Sequence, residues 1–247
     1  MTSLRDRLLR RDPLRGPFLG IPSPVTVEIV AGARPDFVCI DTEHSPISDA
    51  LLTDMIRAAD VARVPALVRV RGKAPCHIAA ALDAGASGVM IPHVSTADEA
   101  AAAVRAARYA PEGARGAGPG RAAGYLRDIP GYVARARAET VVAIQLETVQ
   151  AVENAPDILA VPGIDLAFIG PGDLGVDLAA QGGSHTLEDL VNELIDAAAR
   201  AKVPSGIFTA DRAASVDWFR RLSFVIEGSD ALLLTQASDT AFDALPG

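Results

Sequence analysis

With 247 residues, 49% of them hydrophobic, the chain can bury a large core as one domain over 1–247 without disulfides or structural metals. A formal charge of −8 and an aromatic content of 4% argue against a nucleic-acid partner, which requires a basic face and stacking platforms. No apolar run approaches the roughly 20 residues of a membrane span, so no membrane partner is expected.

The basic opening MTSLRDRLLRRDPLRG has no apolar segment behind it and predicts a solvated first helix rather than a secretory signal. A first β-rich run at Phe18–Ile21 is followed by a second at Phe37–Ile40 and a helical period over Ser48–Ala62. Ser48 or Asp49 can cap that helix. Ala66–Val70 and Gly88–Ile91 flank a helix at His77–Ala84, and Gly85 marks its stop. Thr96 and Glu99 form a capping-box pattern opening Thr96–Tyr109. The Gly- and Arg-rich stretch Ala110–Pro130 reads as a long functional or mobile loop. Strands then alternate with helices: Val141–Leu146, helix Thr148–Leu159 with a stop at Gly163, Leu166–Ile169, helix Leu187–Lys202, Ser205–Phe208, helix Arg212–Arg221, and Phe224–Glu227. Near-continuous apolar strands indicate a parallel sheet covered on both faces, and eight of them close a (β/α)₈ TIM barrel.

In such a barrel the chemistry gathers at the carboxyl ends of the strands. Past strand two lies Asp41-Thr42-Glu43-His44-Ser45-Pro46; Arg69 ends strand three, His93 follows strand four, Gln145 and Glu147 end strand five, and Gly172-Asp173 follow strand six. Glu147 and Asp173 come from neighbouring strands. They read either as helix caps and solvated acids or as ligands of Mg²⁺ or Mn²⁺, since two carboxylates without cysteine suit a hard cation. His44 beside Asp41 and Glu43 reads as a general base or as a satisfied loop residue. Arg69 reads as a structural ion-pair partner or as a holder of carboxylates and developing oxyanions. His93 is a rim or packing residue, His77 and His185 look like surface positions, and Arg115 and Arg121 read either as solvated or as meeting an anionic end of the substrate. The cluster around Gly113–Gly120 follows a helix and lacks a Gly-Lys-Ser/Thr, so it is not a nucleotide loop. Only Lys73 and Lys202 are lysines among 23 basic residues. Lys73 is placed in a loop beyond strand three and Lys202 before strand seven, which disfavours a Schiff base. Cys39 and Cys76 read as unpaired small hydrophobes of a reducing compartment.

The segments Gly20 to Ser23-Pro24, Phe37–Pro46, Pro65–Val70, Leu82–Ala86, Ile91-Pro92, Gly113–Gly116, Gln145–Thr148, Ile169–Leu174 and Gly228–Asp230, in this order and spacing, resemble the HpcH/HpaI aldolase family. The resemblance implies a barrel of the phosphoenolpyruvate/pyruvate-domain type and a class II, metal-dependent pyruvate aldolase. Such an enzyme cleaves a 4-hydroxy-2-oxo acid to pyruvate and an aldehyde through an enolate. It implies Glu147 and Asp173 as ligands of Mg²⁺, Mn²⁺ or Co²⁺, and His44 with Asp41 as the catalytic histidine pair. Arg69 would stand beside the reacting carbonyl, Gln145 and the backbone at Gly172 would bind pyruvate, and Glu43 would order water near the cation. It also implies a cytoplasmic homo-oligomer, often a hexamer. Gly172 stands where the family usually has alanine, Gly175 where serine often follows, and 175–185 differs from the usual loop, which leaves the aldehyde open. Alternatives on the same site are a citrate-lyase or malyl-CoA type lyase and an oxaloacetate decarboxylase. The different-class alternative is a non-catalytic barrel that binds a 2-oxo acid.

Overall fold

Eight short apolar runs pair in parallel and in chain order, and the last returns to the first to close a barrel. The protein is represented by a computed structural model that describes residues 2–182, 184–210 and 212–243. β2 (Val38–Asp41), β3 (Ala66–Arg69), β4 (Gly88–Ile91), β5 (Val141–Leu146) and β6 (Leu166–Ile169) are buried along their length. β1 (Leu14–Leu19), β7 (Ser205–Thr209) and β8 (Phe224–Ser229) complete the ring. Alternation along each strand sends one set of side chains inward and the other out to the helices. Phe37, Cys39, Leu67, Met90, Phe168 and Phe224 fill the interior, while Ile40, Val68, Ile91, Ile144 and Ile169 pack beneath the helices. Burial pushes the Cys39 thiol up, which leaves it an inert packing group.

The helical layer follows local start signals. α3 (Asp49–Ala62), α5 (Ala97–Ala107), α7 (Val149–Glu153) and α10 (Leu187–Ala201) begin behind Ser48, Thr96, Thr148 and Thr186, each hydroxyl accepting an amide of the first turn. α4 (Pro75–Ala84) stops at Gly85, whose φ of 107° is readily adopted only by glycine. The expected helix over Thr148–Leu159 is interrupted at Asn154, where α8 (Ala155–Leu159) starts afresh with Pro156 in its first turn.

Several expectations need correction. The first helix, α1 (Leu4–Leu9), is solvated on one face only: Leu4 and Leu8, one turn apart, plug the amino end of the barrel, while Asp6 and Leu9 are exposed. β1 ends before Gly20 and Ile21, because the amides of those two residues donate to the Asp230 carboxylate at 2.9 and 3.0 Å. Four further helices form: α2 (Pro24–Gly32), α6 (Ile129–Glu139), α9 (Pro171–Gln181) and α12 (Asp230–Phe242). The first three carry a proline in their first turn, and all but α9 have a Ser or Asp cap, signals outweighed by weak apolar periodicity. α11 (Arg212–Trp218) is shorter than the period suggested. Arg115 is buried rather than solvated, with its guanidinium 4.7 Å from the Tyr109 ring and 2.7 Å from Asp83. Arg121 pairs with Asp60 at 2.5 Å. The divergent stretch 175–185 is largely the rest of α9; Gly183 within it, and residues 1 and 244–247 of the chain, lie outside the described residues.

The amino end of the barrel is held by Asp165, just before β6. Its carboxylate accepts from Arg5 Nε at 2.9 Å, Arg108 Nη2 at 2.6 Å and the Val142 amide at 2.9 Å. Asp165 and Arg108 are both buried, so removing the carboxylate strands a desolvated guanidinium. Asp165→Ala is expected to cost about 3–5 kcal/mol, read as a lower denaturant midpoint, with no effect on ligands bound at the opposite rim.

Candidate active site

The register of β2 on β3 sets Asp41 directly beside Arg69, both at the carboxyl ends of their strands. Arg69 Nε and Nη2 donate to the two Asp41 oxygens at 2.9 and 2.7 Å, a forked and buried pair. The Arg69 guanidinium also sits 4.4 Å from the centre of the Phe18 ring. Asp41 Oδ1 accepts from the amides of Glu43 and His44 as well, at 3.1 and 3.4 Å, and so shapes the turn after β2. Asp41 thus holds His44 by its backbone. The imidazole itself is half exposed and lies nearest Glu43, with Nε2 3.7 Å from Oε2.

Glu147, just past β5, is 1% exposed. One of its oxygens accepts from the His93 amide at 2.7 Å, and the other takes a short hydrogen bond from the Gln145 side chain. Burial pushes its carboxyl above the ordinary carboxylate range and Asp173 adds to the rise, against the opposing pull of Gln145 and His93. Glu43 is likewise held high, chiefly by burial and against the pull of Arg69 and His44. Asp173 stands in the first turn of α9 behind Gly170, which supplies no side-chain cap. Lys73 reaches the same rim, but its ammonium bonds the His93 carbonyl at 3.0 Å and pairs closely with Glu99. Lys202 is the left-handed cap ending α10, before β7.

Asp41, His44, Arg69, Gln145, Gly172 and Asp173 line one pocket of about 270 Å³, with Phe18, Phe168 and Phe208 as its apolar wall. Glu43 and Glu147 stand outside that lining and reach the site through their contacts with Arg69 and Gln145. His93, which the sequence suggested was a rim or packing residue, lies on the rim and touches both: Nε2 is 3.0 Å from Glu43 and Nδ1 is 3.1 Å from Glu147. The signal that could have found it was its place just past β4, on the same rim as the others.

The donors suit a hard divalent cation. No cluster of three or more His, Cys, Asp or Glu side chains with metal-holding geometry occurs among the described residues, so a protein-only cage is absent there. Glu147 instead bonds Gln145, and Asp173 lines the same pocket as Gln145, whose buried Oε1 has no hydrogen-bond partner. Two carboxylates and an amide oxygen are donors of the kind a hard divalent cation prefers. Space around Glu147 is narrow: a Cβ on Gly170 would fall 2.7 Å from its Oε2 and 3.1 Å from Gln145 Nε2, whereas one on Gly172 would meet nothing within 4 Å. Gly170→Ala is therefore expected to cost about 1–3 kcal/mol in denaturant unfolding, and Gly172→Ala to stay within about 0.5 kcal/mol of the parent.

The family model described as HpcH/HpaI aldolase/citrate lyase matches residues 15–243. A hydroxypyruvate/pyruvate aldolase of Paraburkholderia phytofirmans is 37% identical over 223 residues, covering 86% of this chain and 85% of that protein. A 4-hydroxy-2-oxo-heptane-1,7-dioate aldolase of Escherichia coli is 34% identical over 232 residues, 92% of this chain and 88% of the relative. The crystal structure of an HpcH/HpaI aldolase/citrate lyase family protein from Burkholderia cenocepacia superposes with a TM-score of 0.89 at 34% identity, covering 97% of each chain. With the closed parallel barrel and a site gathered at its strand ends, these matches establish that the chain belongs to the HpcH/HpaI aldolase/citrate lyase family.

Proposed function

We propose that this protein is a divalent-cation-dependent aldolase that cleaves a 4-hydroxy-2-oxo acid to pyruvate and an aldehyde, and runs the reverse addition. The observation that carries the reading is the meeting of His44, the Asp41–Arg69 fork, Gln145 and Asp173 on one pocket wall, with Glu147 against Gln145. Glu147 and Asp173 would hold Mg²⁺ or Mn²⁺, which supplies a Lewis acid for the 2-oxo acid. The Gln145 amide and the backbone at Gly172, near the start of α9, position the oxo acid.

Arg69 is aimed by Asp41 and desolvated, so its donors need little reorganisation to meet oxygen charge that develops as the bond between carbons 3 and 4 breaks. In cleavage His44 takes the proton of the 4-hydroxyl, the electrons of the broken bond pass into an enolate, and protonation at carbon 3 gives pyruvate. Glu43, beside His44 and Arg69, orders water and the imidazole. Lys73 is tied to Glu99 and the His93 carbonyl, and Lys202 ends α10 before β7, at the opposite end of the barrel, which favours this route over a Schiff base. The same reading takes the protein as a cytoplasmic homo-oligomer. The free thiols of Cys39 and Cys76 suit a reducing compartment, and exposed Val25 and Ile29 on α2 with Leu234 and Phe242 on α12 offer apolar surface for association.

The test is exchange of pyruvate methyl protons in deuterated water. Exchange is expected with Mn²⁺ or Mg²⁺, lost with EDTA, and lost in Glu147→Gln and Asp173→Asn together with Mn²⁺ binding. Tight pyruvate binding without exchange would point to a binding barrel, and exchange of acetyl-CoA in place of pyruvate to the acyl-CoA lyases. His44→Ala is expected to slow retro-aldol cleavage by about 10²–10⁴-fold while Mn²⁺ affinity, read by titration, holds.

A further inference from the structure

We propose that His93 is a positioning residue that holds the Glu147 carboxylate ready for the cation and ties it to Glu43. The inference rests on the reading of Glu147 as a metal ligand and adds a residue to it.

His93 follows β4 with φ of 55°, a left-handed conformation that is unfavourable for a non-glycine residue. Such outliers persist where the surroundings over-determine them. Here the backbone is fastened on both sides: the amide donates to Glu147 Oε1 at 2.7 Å, and the carbonyl accepts from Lys73 Nζ at 3.0 Å. Lys73 is itself tied to Glu99, whose other oxygen accepts the Ser95 amide at 2.8 Å. The left-handed turn brings both the amide and the ring to the same side.

The ring completes a bridge. Nδ1 lies 3.1 Å from Glu147 Oε1 and Nε2 lies 3.0 Å from Glu43 Oε1. Glu147 is therefore held at both oxygens, by His93 on Oε1 and by Gln145 on Oε2. Glu43 in turn stands 3.4 Å from Arg69 Nε and 3.7 Å from His44 Nε2. The imidazole thus connects the carboxylate on the cation side with the groups on the proton-transfer side. A ligand already held in one orientation surrenders less freedom when the cation arrives, and outer partners of this kind are worth about 10–100-fold in metal affinity.

The experiment is titration of the metal-free protein with Mn²⁺, followed by electron paramagnetic resonance of free Mn²⁺, with no substrate present. His93→Ala and His93→Gly remove the ring, the second also relieving the backbone; His93→Gln retains a side-chain donor and guards against a variant that fails to fold. We expect Mn²⁺ affinity to fall 10–100-fold in Ala and Gly, with partial recovery in Gln. A residue that merely supported the fold would lower thermal stability in EDTA and leave the affinity of the folded fraction unchanged. Mn²⁺ affinity within twofold of the parent in both Ala and Gly variants overturns the inference while the ligand reading stands. Failure of the parent protein to bind Mn²⁺ defeats the ligand reading and the inference with it.

Discussion

A guanidinium buried at the rim of a barrel must be answered by an anion, and the rest of the site is arranged around how Asp41 answers Arg69. Both oxygens of Asp41 are committed to the fork, and one of them also gathers the amides of Glu43 and His44. Breaking such a pair leaves an uncompensated charge in a region poor in water, a far larger penalty than losing a surface bridge. The fork consequently fixes more than itself. It orients the arginine, shapes the turn after β2, and sets the imidazole of His44 at the pocket edge.

Beside the fork the problem is inverted, because Glu43 and Glu147, with His93 between them, and Asp173 bring several negative charges to the rim. Desolvation raises the first two, and neighbouring donors hold them only in part. Buried Glu43 Oε2 and Gln145 Oε1 remain without hydrogen-bond partners. A divalent cation would offset these charges, since it neutralises neighbouring carboxylates and accepts the lone pairs of their oxygens. With a cation held by the carboxylates, that cation and the desolvated arginine would flank a substrate that becomes an oxyanion.

The two ends of the barrel divide the labour. At the amino end, Leu4 and Leu8 close the interior and Asp165 clasps Arg5 and Arg108, contacts that carry stability. At the carboxyl end, strained or under-satisfied groups collect, among them left-handed His93 and the close-packed Gly170.

The class of fold and the set of residues just past the strands were legible in the linear chain. Apolar runs at β2 through β6, buried on both faces, have no other stable arrangement than a covered parallel sheet, and residues just past such strands must share one end of it. Helices with a strong apolar period and a Ser or Thr cap were equally legible, as in α3, α5 and α10. Helices such as α2, α9 and α12 were not, because glycines or exposed apolar residues blur their period although Ser23, Pro171 and Ser229 mark their starts. Only the tertiary structure decided which atoms meet. It put the imidazole of His44 beside Glu43 rather than Asp41, set His93 between two carboxylates, and buried Arg115 between tyrosines. Those contacts join residues from different strands and loops, and their geometry depends on register, backbone handedness and competition for each oxygen, none of which a linear spacing contains.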